Sequence, residues 1–273
     1  MSYPPSSMPP PPPEPPAFGT DLPENADVEL EIDGPAPQRR LTAFFRGLLA
    51  IPQFVVLFFL GIGYAVTLVL GWFGALAMGR LPEWCRRYMT HYLRYGLRVN
   101  AYLHLLVDRY PPFSFEAEDY PARLDLRSGR LNRAAVLFRF ILIIPAAIIT
   151  NVVTTGYGVC AFFIWLSVVI TGRTPTPVFG AVAAMLRYSN RYTAYFSMLT
   201  SAYPKPRDLF GEQRVDAKAQ PLPHGTRPLL LTGGGVALLV AFLVFGVLGA
   251  VGQGAVQSGQ QHPQHSASAA LTR

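Results

Sequence analysis

The chain has 273 residues, 51% of them hydrophobic and only 14% charged, with a formal net charge of +7. An ordinary soluble domain carries roughly 25% charged residues, so the composition excludes that class and points to a polytopic membrane protein. All 23 basic residues except Lys205 and Lys218 are Arg, and they flank apolar runs. That placement favours anionic lipid headgroups over nucleic acid as the partner.

Residues 1–26 open the chain with a Pro-rich, polyproline-prone tail that has acidic residues at Glu14, Asp21 and Glu24. It lacks the basic and apolar regions of a signal peptide, so targeting falls to the first apolar run. Val28–Asp33 then alternates apolar and acidic residues, the period-two sign of a short strand. Ala122–Arg127 alternates in the same way. Its outer charges, Arg123, Asp125 and Arg127, complement Glu29, Glu31 and Asp33, which predicts that the two strands pair.

An ungapped internal repeat with an offset of 93 (residue 45 to residue 138) organises the chain. It superposes Phe45-Arg46 on Phe138-Arg139, Ile51-Pro52 on Ile144-Pro145, Gly63-Tyr64 on Gly156-Tyr157 and Trp72 on Trp165. Further on it superposes Gly79-Arg80 on Gly172-Arg173, Arg94-Tyr95 on Arg187-Tyr188, Arg98 on Arg191 and Tyr102 on Tyr195. Each copy contains a long apolar run, Leu41–Met78 and Ala134–Ile170. A single crossing needs about 20 residues, so each run is long enough for two short ones. Glycines lie at both midpoints, Gly61 and Gly63, then Gly156 and Gly158, where they would permit a tight reversal. Pro52 and Pro145 fit helix starts. Basic residues gather on the cytoplasmic side of membrane proteins. Hairpins keep the Arg residues from Arg80 to Arg133 on that side, whereas single crossings would expose them outside.

Between Pro82 and Val107 the pattern changes to an amphipathic helix. Arg87, His91, Arg94 and Arg98 share one face, with Trp84, Tyr88, Tyr92 and Leu93 around it. Arg187 and Arg191 keep the stripe in the second copy. A basic stripe among aromatic residues describes a helix in the headgroup layer, so Arg87, Arg94, Arg98, Arg187 and Arg191 are the candidate lipid-binding residues. Residues 229–252 form one more apolar segment, and the tail after them is polar, with only Arg273 basic.

The series Phe45-Arg46, Ile51-Pro52, Trp72-Phe73, Gly79-Arg80-x-Pro82, Arg98-Val99-Asn100-Ala101-Tyr102 and Asp108-Arg109-Tyr110-Pro111-Pro112-Phe113 resembles a bacterial membrane module. That module is catalogued as "domain of unknown function 4389". In the second copy Asp108-Arg109 becomes Ser201-Ala202, and Pro112-Phe113 becomes Lys205-Pro206. The resemblance implies an integral membrane protein without an established activity, and it carries over no functional residues.

Sequence motifs for catalysis or metal binding are missing, and Cys85 and Cys160 have no metal-ligand spacing. An enzyme would have to use His104 and Asp108, which become Ser197 and Ser201 in the second copy. His262 and His265 share the polar tail. A carrier places ionisable groups at mid-membrane. The apolar runs offer Thr67, Thr150, Asn151, Thr154 and Thr155, with Arg46 and Arg139 near their starts. Snorkelling explains those two Arg residues, and a paired site for an anionic lipid or solute is the alternative.

The expectation is therefore an all-α integral membrane protein of the cell membrane, multi-pass, with a cytoplasmic N-terminus and an outside C-terminus. It comprises a disordered tail (1–26), repeat 1 (27–116), repeat 2 (117–210), a linker (211–228), a C-terminal span (229–252) and a polar tail (253–273). Each repeat carries a short cytoplasmic strand, a transmembrane hairpin and a basic amphipathic helix. The expected function is a non-enzymatic scaffold or accessory subunit that engages anionic lipid through its Arg-rich interfacial helices, with membrane lipids and a membrane protein complex as the expected partners. It needs no catalytic residue, metal, cofactor or nucleic acid. The alternative is a transporter or channel component for a small anionic solute or lipid, using Arg46 and Arg139.

Overall fold

A computed structural model describes residues 28–115, 117, 119–126, 131–210 and 231–270, and side chains after residue 252 lie outside the described set. The Pro-rich tail, Arg127 and the linker therefore fall outside it, as do the side chains of Glu29, His262 and His265. The predicted strands form a two-stranded antiparallel ribbon of β1 (Val28–Ile32) and β2 (Ala122–Leu126), with Leu30 opposite Leu124 and Glu31 opposite Arg123. Arg123 reaches Glu31 at 3.9 Å and Asp33 at 3.3 Å, the charge pairing that the sequence predicts. Val28, Leu30, Ile32, Ala122 and Leu124 point into the core.

In the first copy the chain passes through two short helices, α1 (Arg40–Phe44) and α2 (Arg46–Leu49), into α3 (Ile51–Met78). After a brief turn, α4 (Glu83–Leu103) follows. The second copy repeats this as α5 (Arg133–Leu137), α6 (Arg139–Leu142), α7 (Ile144–Thr171) and α8 (Thr176–Phe196). The last element is α9 (Gly233–Ala270), which continues past the apolar segment without a break. Pro52 and Pro145 occupy the first turn of α3 and α7, where a missing N–H costs nothing. Gly79 (φ 69°) and Gly172 (φ 73°) end those helices in the left-handed region. Leu105 (φ 63°) and Met198 (φ 60°) do the same after α4 and α8, although neither is Gly. Both Leu105 and Met198 are buried, so packing holds a backbone that costs roughly 1–2 kcal/mol.

The expected hairpins do not form. After its two short helices, each apolar run continues as one uninterrupted 28-residue helix, in which Gly61, Gly63, Gly156 and Gly158 are helical. The glycines serve close approach instead of reversal. Gly63 lies under the Tyr88 hydroxyl, which donates to Leu60 O at 2.9 Å, and Gly61 faces the Tyr92 hydroxyl. At Gly156 a Cβ would run into the Phe242 carbonyl, and at Gly246 into that of Val152, so α7 and α9 touch backbone to backbone. Offset by 93, Arg87, Tyr88 and His91 become Gly180, Ala181 and Ala184, and these small residues leave room for α9 beside α8. In place of five crossings the described residues hold three helices long and apolar enough to cross a membrane, within Ile51–Met78, Arg139–Thr171 and Gly233–Gly252.

The two copies interlock about a pseudo-twofold axis. Trp72 donates to Val136 O at 3.3 Å and Trp165 to Ala43 O at 2.9 Å. Arg133 sits beside Gly79 and Arg40 beside Gly172, each placing a cation at the carboxyl end of the other copy's helix. The Tyr64 hydroxyl meets Ser197 Oγ at 2.5 Å, while Tyr157 packs on the His104 ring at 4.9 Å. Hence α3 starts at the Arg46 end of the molecule and finishes at the Arg139 end, and α7 runs the opposite way. The axis is perpendicular to both helices. Helix α4 returns along α3, and α8 along α7. The ribbon packs on α4 and α8 at their middles, and these two helices in turn carry α3 and α7.

Candidate functional site

Arg46 is 2% exposed although it opens the short helix α2 near the molecular end. Its Nη1 donates to Tyr102 O at 2.8 Å, and its Nη2 donates to Gln38 Oε1 at 2.7 Å and Asp108 Oδ1 at 3.1 Å. The guanidinium carbon lies 4.5 Å from the centre of the Tyr102 ring. Burial pulls the Arg46 pKa below its ordinary value, and Tyr102 and Asp108 oppose that shift. Gln38 is held in turn by Leu105 O at 3.2 Å. The α1–α2 turn, the end of α4 and the loop after it thus converge on one cation.

Arg139 is 3% exposed and repeats part of this arrangement. It lies 4.3 Å from the Tyr195 ring, and its Nη1 donates to Tyr195 O at 2.5 Å and Thr200 O at 3.4 Å. The two Arg residues share no partner and belong to opposite ends of the twofold arrangement, so they do not form the paired anion site that the sequence suggested. They do not snorkel either, because their heads are buried in protein.

The predicted lipid-binding stripe is largely turned inward. Arg98 and Arg187 are buried, and Arg94 and Arg191 are half-buried. Arg94 donates to Leu124 O at 3.1 Å, Arg187 to Leu30 O at 3.1 Å and Arg191 to Val28 O at 3.4 Å. Arg98 donates to Ser114 O at 2.6 Å. These four side chains therefore clamp the ribbon and the loop after α4 to the helices, because strand carbonyls on the inner side need donors. Of the five, Arg87 alone is exposed. The periodicity correctly placed the Arg residues on one helix face, but the ribbon that covers the face comes from elsewhere in the chain. Six exposed arginines lie at the two molecular ends, Arg39, Arg40 and Arg173 at one and Arg80, Arg87 and Arg133 at the other, while exposed Arg109 and Arg207 follow α4 and α8.

His104 and Asp108 turn to different partners. His104 Nδ1 lies 2.7 Å from Asn100 O, and desolvation holds its pKa below the usual imidazole value. Asp108 is committed to Arg46 and accepts from the Arg39 N–H at 3.3 Å. Cys85 and Cys160 are free thiols, and no three His, Cys, Asp or Glu residues among the described residues could hold a metal ion. Within α3, Gln53 and Thr67 are buried polar residues, and both are satisfied. Gln53 donates to Pro111 O and accepts from Tyr95, while Thr67 donates to Gly63 O. A groove of about 670 Å³ runs along α7 beside Tyr192 and Ala250, with Thr150 and Thr154 in its wall. Both hydroxyls are bonded to their own helix, to Ala146 O and Thr150 O.

The sequence reading did not anticipate Gln38, or Tyr102 as a cation platform. The 93-residue offset held a clue to the second, because Tyr102 and Tyr195 keep their spacing from Arg46 and Arg139. The described residues thus hold three helices long and apolar enough to cross a membrane, set in a duplicated frame with arginines at both ends. The model of the family described as "Domain of unknown function (DUF4389)" matches residues 40–114 and again 133–208, more than half of the chain. The chain belongs to that family, with the domain present in two tandem copies. Neither a curated protein nor a solved structure matches it.

Proposed function

We propose that the chain is a non-enzymatic membrane scaffold or accessory subunit whose apolar layer, α3, α7 and α9, is seated in one leaflet and whose exposed arginines engage anionic headgroups. One observation carries this reading: the ribbon lies across the middles of α4 and α8, level with the centres of α3 and α7. If α3 stood upright in a bilayer, open strand edges and the Arg123, Glu31 and Asp33 charges would lie at mid-depth. Unpaired backbone edges and charges there cost several kcal/mol each.

With the pseudo-twofold axis along the membrane normal, the ribbon faces water instead. Phe58, Phe59, Val66, Phe162 and Phe163 face the acyl chains. Arg39, Arg40 and Arg173 then share a headgroup layer with Arg80, Arg87 and Arg133. These six cations stay on one side without any hairpin, which meets the bias that the sequence carries. Each Arg near an anionic surface contributes about 1 kcal/mol.

The seating is tested with single cysteines, Arg40→Cys and Arg80→Cys, in a Cys85→Ala, Cys160→Ala background. A membrane-impermeant maleimide should label both from the same face of sealed native-membrane vesicles. Labelling from opposite faces overturns the flat seating and restores a crossing α3. The headgroup contacts are tested separately. Gln at Arg39, Arg40, Arg80, Arg87, Arg133 and Arg173 should weaken binding to phosphatidylglycerol liposomes more than tenfold, and unchanged binding refutes them.

A further inference from the structure

The repeat supplies its own comparison for a buried cation. In copy one, Arg46 Nη2 has two acceptors, Gln38 Oε1 at 2.7 Å and Asp108 Oδ1 at 3.1 Å. The corresponding positions in copy two, 38 + 93 and 108 + 93, hold Leu131 and Ser201. Leucine accepts no hydrogen bond, and Arg139 makes neither an ion pair nor a bond to Ser201 among the described residues. Nε of Arg139, like that of Arg46, is buried without an acceptor, so the copies differ at Nη2 and in the carboxylate. A guanidinium 3% exposed thus keeps its tyrosine platform and two carbonyl acceptors, while no carboxylate among the described residues takes the place that Asp108 has beside its twin. A buried charge left unbalanced is costly and calls for an outside anion.

Asp108 in copy one has a side chain 20% exposed, and Ser201 is exposed. From this we infer that Arg139 binds a phosphate oxyanion, supplied by a lipid headgroup or as inorganic phosphate, where the Asp108 carboxylate stands against Arg46. The guanidinium fork takes phosphate oxygens as it takes carboxylate oxygens. Exposed Arg133, on the short helix before Arg139, adds positive charge at the same end. Only the lipid source rests on the membrane seating proposed above; the anion site itself stands on the Arg139 geometry.

The test uses the full-length protein in detergent and reads Tm against two probes, inorganic phosphate and phosphatidylglycerol, with phosphatidylcholine as the neutral control. Ligand that binds the folded state alone raises Tm with concentration. Either phosphate or phosphatidylglycerol should stabilise the wild type, and Ser201→Asp, which installs the carboxylate of copy one, should weaken that response at least tenfold. The same variant should have a ligand-free Tm no lower than the wild type. Leu131→Gln, supplying the other missing acceptor, should also weaken the response and serves if Ser201→Asp fails to fold. Asp108→Ser should add a second phosphate-responsive site. A response to both probes identifies phosphate itself as the ligand, and a response to phosphatidylglycerol alone identifies the headgroup. No response to either probe, or a response that survives both Ser201→Asp and Leu131→Gln, overturns the inference, whatever the labelling of positions 40 and 80 reveals about seating.

Discussion

Asp108 offsets a guanidinium that is almost wholly withdrawn from water, so Asp108→Ala leaves Arg46 with neutral acceptors alone. Breaking a fully buried pair costs about 3–5 kcal/mol. Because the Asp108 side chain is 20% exposed, water recovers part of that, and a loss of about 2 kcal/mol in denaturant unfolding is expected. His104 gives a second prediction at this scale. Desolvation depresses its pKa in the folded state, so the unfolded chain binds the proton more readily. Stability should therefore fall as pH drops below the unperturbed value of about 6.5, and level off beneath the folded value. His104→Gln should flatten that part of the Tm profile, and an unchanged profile would assign the pH dependence to other groups. Little of this was legible beforehand. Spacing pairs Arg46 with Arg139 by position, but only folding shows that Tyr102 and Asp108, more than fifty residues on, close around the first.

At the scale of elements, the two glycines in the middle of α7 look equivalent in sequence and differ in space. Gly156 is pressed against the α9 backbone, whereas a Cβ at Gly158 would meet nothing within 4 Å. Gly156→Leu and Gly246→Leu should each cost at least about 3 kcal/mol or release α9, beyond ordinary overpacking, because backbone cannot yield as a side chain does. Gly158→Leu should be nearly neutral. Circular dichroism with thermal unfolding separates these outcomes, and equal damage at positions 156 and 158 would contradict close packing. The sequence reading took the same glycines for a reversal, since glycine marks turns and close approaches alike and composition cannot distinguish them. Strand pairing was legible because complementary charges were confined to two alternating segments. The helical stretches of α4 and α8 were legible, but what would cover their arginines was not.

For the whole molecule, the interlock makes the copies interdependent. Trp72 and Trp165 each donate to the other copy's first helix, so Trp72→Phe and Trp165→Phe should each lose about 1 kcal/mol for the hydrogen bond. Chemical denaturation should remain a single transition in both variants. A first transition confined to one repeat would show that the copies fold separately. Both α3 and α7 end beside an Arg of the other copy, so each copy contributes a cation to the other's helix end.

The sequence by itself determined the duplication, the apolar character of three helices, the strand pair and the Arg-rich flanks, because periodicity and composition are local and survive without knowledge of neighbours. Only the tertiary structure decided that each apolar run holds one long helix, that α3 and α7 run in opposite directions and that most of the arginine stripe clamps a ribbon. Those outcomes depend on which backbone can approach which glycine and which carbonyls lack a donor. Such partners are fixed by contacts between residues far apart in the chain.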